Sequence, residues 1–155
     1  MITDLNLTVL TPEIFLAITA MGLLLVGSFV GNASARVISF YASLALLVSG
    51  AMLLSFSWQT QVIFNGLLVF DSFAATIKIL LVLGLMISIM LAPRYLEQNG
   101  ILSFEYPVLM MLAAVGMMIM VSSNNFLTLY LGLELQSLCL YVLAAMRRNS
   151  LKSAE

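Results

Sequence analysis

The stretch that decides the fold is VLMMLAAVGMMIMVSSNNFLTLYLGLELQSLCLYVLAAM, Val108 to Met146. It holds two long apolar runs separated only by Ser122, Ser123, Asn124 and Asn125. A bilayer crossing needs about 20 mostly apolar residues, and Ser and Asn suit both a tight turn and a helix N-cap. The pattern therefore predicts two consecutive transmembrane helices joined by a short turn. One carboxylate, Glu134, lies inside the second run. The nearest other charges are Glu105 before it and Arg147 after it.

Working outward, the whole chain has the same character. Of its 155 residues 63% are hydrophobic and 8% charged. A soluble domain carries about 25% charged residues, so this chain lacks the charge to cover a surface in water. The fold class is an all-α polytopic membrane protein. The net charge of −1 argues against a nucleic-acid partner. There is no His, which argues against histidine-held haem, zinc or iron. The single cysteine, Cys139, excludes an intrachain disulfide and reads as a small apolar residue. No phosphate loop, nucleotide fingerprint, catalytic triad or metal-ligand cluster is visible. The acidic start MITDLNLTVLTPE has no basic n-region, so the first helix itself is the expected targeting element.

Five spans are expected within one membrane domain, 1–155: about 12–30, 37–56, 72–92, 106–121 and 126–146. Pro12 suits a helix start, Asp71 or Ser72 suits an N-cap, and the third span is expected to end before Pro93. Arg36, Arg94, Arg147, Arg148 and Lys152 all fall in loops on one side. Lys and Arg are enriched on the cytoplasmic side, which puts the N-terminus outside and the C-terminus inside. Between spans two and three, Asn65-Gly66 lies between β-prone runs in WQTQVIFNGLLVF (Trp58 to Phe70). That signals a short β-hairpin with a type I′ turn, against the plainer reading of an interfacial loop anchored by Trp58. GSFVG (Gly27 to Gly31) matches the small-residue helix-contact pattern and reads as close packing. The Met-rich run of span four reads as lipid-facing or gap-filling.

Two ionisable residues fall inside spans, Lys78 and Glu134. A charge at mid-membrane costs at least ~2.5–3.5 kcal/mol, which marks both as functional candidates. At 1.5 Å per residue they lie ~10 Å and ~12 Å below the outer ends of their helices. Lys78 could instead snorkel to the interface, and Glu134 could be a protonated structural carboxyl. Their similar depth makes an ion pair between them an expectation. Glu134 also shares a helical stripe with Tyr130, Ser137 and Tyr141, the composition of a face lining a hydrated interior. Burial disfavours the charged form of a carboxyl and a nearby ammonium favours it. A carboxylate whose cation can approach or withdraw is a proton site of switchable affinity. Ala74 and Ala75, one turn before Lys78, leave room for a neighbouring helix.

The fifth span and its exit, with the core LTLYLGLELQSL, and the segment FNGLLVFDSFA (Phe64 to Ala74) resemble the subunit N family of NADH-quinone oxidoreductase. These are the antiporter-like membrane subunits of respiratory complex I, whose mitochondrial counterpart is NADH dehydrogenase subunit two. The resemblance implies a membrane subunit of a proton-translocating complex, coupled to quinone reduction. It implies that NADH, flavin, iron–sulfur clusters and quinone are bound by other subunits, with no cofactor in this chain. Glu134 matches the family's fifth-helix glutamate, which pairs with a lysine in a later, broken helix. Lys78 matches a third-helix position that some relatives fill with lysine. Family members are longer, so the chain corresponds to their N-terminal five helices. The implied partners are the other membrane subunits, the remainder of the same subunit and the lipid bilayer. The implied location is a bacterial cytoplasmic or mitochondrial inner membrane. Two other readings share the membrane glutamate: a subunit of a multi-subunit sodium/proton antiporter, and a small proton-coupled transporter. A non-transporting membrane scaffold would have no need of the Glu134 stripe.

Overall fold

The computed structural model describes residues 7–31, 34–56, 59–98 and 102–146. A short 3-10 turn, Leu7–Leu10, leads into α1, Thr11–Val30. Then come α2, Ala35–Ser55; β1, Gln61–Ile63; β2, Leu68–Phe70; α3, Ser72–Gln98; α4, Glu105–Ser122; and α5, Phe126–Ala145. All five helices are long and apolar enough to cross a membrane. Trp58, Asp4, Arg147, Arg148 and Lys152 lie outside the described residues.

The helix starts follow their local chemistry. Pro12 sits in the first turn of α1, where its missing N–H costs nothing. Asp71 caps α3, its Oδ1 accepting from the Ala74 amide at 2.7 Å. Asn125 caps α5, its side chain accepting from the Leu127 amide at 3.0 Å. One expected boundary is corrected: α3 does not stop before Pro93 but runs through it to Gln98. A proline removes one helical hydrogen bond, and this stretch has an outside anchor. Arg36 at the start of α2 grips Glu97 with a fork, Nε to Oε1 at 2.5 Å and Nη2 to Oε2 at 2.7 Å.

The hairpin is present. β1 and β2 pair antiparallel, Gln61 with Phe70, Val62 with Val69 and Ile63 with Leu68. Asn65 and Gly66 have φ of 54° and 89°, and the Leu67 amide bonds the Phe64 carbonyl at 3.1 Å, as a type I′ turn requires. Phe64 also has positive φ, 53°, which ends the ladder there. The hairpin is tied to the α4–α5 turn. Asn124 donates from Nδ2 to the Gly66 carbonyl at 2.9 Å and from its amide to the Leu67 carbonyl at 3.0 Å. Leu68 bridges to Ser123.

α4 is the central helix, packing against α1, α2, α3 and α5. Its Met111 and Met118 are fully buried, so the methionines fill the bundle interior as well as its margins. The GSFVG glycines serve two separate purposes. A Cβ on Gly27 would run into the Phe104 ring, whereas Gly31 ends α1 with φ of 77°. α5 sits at the edge of the bundle, with Gly132 and Cys139 as its buried residues. It meets α4 where Gly116 and Gly132 face each other. A Cβ added to either would lie 2.8 to 2.9 Å from the other's carbonyl oxygen.

The hairpin, the α4–α5 turn and the first turns of α1 and α3 gather at one end of the bundle. The Arg36–Glu97 fork and Arg94 mark the opposite end. Of the five basic residues expected in loops on one side, the two among the described residues, Arg36 and Arg94, lie at this same end.

Candidate functional site: two membrane carboxylates

Lys78 is 1% exposed, although it carries a formal charge. Ala74 and Ala75 one turn before it are also buried. Its ammonium reaches Glu13 in the first turn of α1, with Nζ 2.5 Å from Oε1. Glu13 is 3% exposed. The Phe70 ring of β2 lies beneath the ammonium, 5.3 Å from Nζ to its centroid. Phe70 is itself held edge-on against Phe56, 6.3 Å between centroids. The site thus joins α1, α3 and the hairpin.

The lysine's partner is therefore Glu13 rather than Glu134, a correction to the expected pairing. The cause is geometric. Glu13 and Lys78 stand on helices that both start at the hairpin end, and the lysine's four-carbon stem bridges the ~6 Å between their depths. Among the described residues, no Lys or Arg forms an ion pair with Glu134. The sequence did contain a signal for Glu13. It is an acid at the start of a span on the same side as Lys78. An acid there also has an ordinary explanation, since the N-terminal end of a helix favours negative charge, and that explanation hides it.

Glu134 is half-buried on α5. Ser137 donates from Oγ to the main-chain carbonyl of Glu134 at 3.0 Å. Tyr130 and Tyr141 are 59% and 69% exposed. At 3.6 residues per turn the four members of the stripe fall about 140–200° around α5 from Gly132. Gly132 faces α4, so the stripe lies on the opposite side of α5, with Tyr130 and Tyr141 exposed and Glu134 and Ser137 half-buried. The structure keeps Glu134, Ser137, Tyr130 and Tyr141 together on one face and separates that face from Lys78. No group of three or more His, Cys, Asp or Glu side chains able to hold a metal occurs among the described residues.

The chain is similar to NADH-quinone oxidoreductase subunit N. It is 43% identical over 155 residues to the protein of that name from Erythrobacter litoralis, aligning 97% of this chain with 32% of the relative. Identity to the Paramagnetospirillum magneticum protein is also 43%, over 100% of this chain and 32% of that one. For Rhodobacter capsulatus it is 39%, over 99% and 32%. The chain spans about a third of the length of the curated relatives it matches. No family model matches it.

Proposed function

We propose that the chain is the N-terminal five-helix part of a subunit N of proton-translocating NADH-quinone oxidoreductase. The observation that carries this reading is the similarity to proteins of that name along nearly the whole chain, at 39–43% identity. The site adds to it. A half-buried glutamate on a polar face turned away from α4 suits a proton-transfer residue whose cationic partner arrives on a further helix.

In this reading Glu134 binds and releases the proton. A lysine from the remainder of the subunit lowers the cost of its charged form when close and restores it on withdrawal. Tyr130, Ser137 and Tyr141 supply hydroxyls that carry the hydrogen-bonded path along α5. The redox chemistry lies elsewhere. NADH, flavin, iron–sulfur clusters and quinone are held by other subunits, and this chain contributes to translocation. The hairpin end faces outward and the Arg36 end faces the cytoplasm or matrix, in keeping with the Lys and Arg distribution. The membrane is the bacterial cytoplasmic or mitochondrial inner membrane. The sodium/proton antiporter reading shares the membrane glutamate, but the subunit N similarity favours the oxidoreductase.

The test is Glu134→Gln in the full-length subunit within the assembled oxidoreductase. Glutamine keeps the shape and removes the titratable proton. NADH-driven proton pumping in vesicles should fall severalfold while assembly persists. Wild-type pumping by the variant would rule out Glu134 as the proton site.

A further inference from the structure

The proposed translocation chemistry at Glu134 leaves the Glu13–Lys78 pair without a role. We propose that this pair is a second proton-binding site, with Glu13 the group that takes the proton and Lys78 the cation that opposes it. Two observations point to this. The first is depth of burial: both groups are almost wholly withdrawn from solvent, and burying an ion pair costs more than its mutual attraction commonly returns. The second is an imbalance within the pair. Glu13 Oε1 accepts from Lys78, whereas Oε2 is buried with no hydrogen-bond partner among the described residues. A lone buried carboxylate oxygen is a strong, unsatisfied acceptor. A hydronium ion that gives up its proton forms an O–H bond at Oε2 and departs as water, which neutralises the carboxyl and leaves Lys78 as an ammonium. The remaining charge then rests on the Phe70 ring face, and that contact needs no anion.

The surroundings leave few rivals for this proton. Asp71 is the other charged side chain near the start of α3, and its Oδ1 is engaged in capping that helix. On α1 itself the described residues include no further ionisable group. On α2 the titratable groups are Arg36 and Tyr41, and on α4 they are Glu105 and Tyr106, all towards the opposite end. Arg94, Tyr95 and Glu97 on α3 lie at that opposite end too. The described 3-10 turn and β2 carry none. Tyr130 and Glu134 share the hairpin end but stand on α5, which packs against α4.

The experiment is infrared difference spectroscopy of the assembled oxidoreductase across a pH titration. Wild type should show a deuterium-sensitive carboxylic C=O band that grows as pH falls. Glu13→Gln should remove that band, and Glu134→Gln should leave it in place, so this result stands apart from the fate of the Glu134 reading. Lys78→Met supplies the second arm, because a neutral Glu13 remains foldable when the ammonium is gone. Its band should persist to higher pH than in wild type. A wild-type spectrum in which no band responds to Glu13→Gln would overturn the proposal. So would a Lys78→Met enzyme whose band titrates as in wild type.

Discussion

Glu13 and Glu134 are both carboxylates on membrane helices, yet their neighbours differ sharply. Glu13 has a fixed cation at 2.5 Å, whereas Glu134 has none among the described residues. Breaking a buried pair costs about 3–5 kcal/mol, because one charge is left stranded. The two ways of breaking this one should not cost the same. Glu13→Leu strands an ammonium that keeps the Phe70 ring face but loses its ion-pair partner. Lys78→Met strands a carboxyl group, which an added proton would leave uncharged. Glu13→Leu should therefore destabilise by the full amount, about 3–5 kcal/mol, and Lys78→Met by clearly less. The double variant should recover most of the loss, since an apolar pair of similar volume is often as stable as the ions it replaces. Unfolding by SDS titration in mixed micelles, followed by helical circular dichroism, measures all three. Equal losses in the two single variants would show that proton uptake does not relieve Glu13.

At the level of elements, two close approaches hold the hairpin end and the bundle edge together. The first is the docking of the hairpin on the α4–α5 turn through Asn124. Gly66 has φ of 89°, so Gly66→Ala should cost about 1–2 kcal/mol. Hydrogen exchange should show the Leu67 and Asn124 amides losing protection together, while α1 amides stay as they were. Loss at Leu67 alone would mean that the hairpin does not steady the turn. The second approach is Gly116 against Gly132. Gly132→Ala raises helix propensity by up to about 1 kcal/mol, but overpacking against backbone costs about 1–3 kcal/mol. The net effect should be destabilising, read as a lowered SDS midpoint. These elements were legible in the sequence to unequal degrees. The five helices and the hairpin follow from apolar run length and from one Asn-Gly dipeptide, both local signals. The passage of α3 through Pro93 was not legible, because its anchor is Arg36, 61 positions away from Glu97. Glu13 was hidden for the same reason: its partner lies 65 positions along the chain. The stripe around Glu134 was legible because it is periodic within a single helix.

Across the whole molecule, burial is uneven. α4 is covered on most sides, but α5 presents its polar stripe and many large apolar side chains outward. Lipid can solvate Leu131, Leu138 and Val142, but it offers nothing to a carboxylate and two phenols on one face. The relatives are about three times as long as this chain. On the proposed reading, further helices of a full-length subunit N would cover this face and bring hydrogen-bonding partners to the stripe. Thiol labelling tests this directly. Cys139 faces α4 and is 5% exposed, so it should stay unmodified in every form of the protein. Ser137→Cys should react readily with a small thiosulfonate reagent in the 155-residue chain held in detergent. In the full-length subunit, assembled and in the same detergent, the reaction should slow markedly. An outward apolar control on another helix, Phe40→Cys, should react alike in both. If Ser137→Cys and the control behave identically in the two forms, the stripe faces detergent in both, and Glu134 cannot meet a cation carried by a later helix.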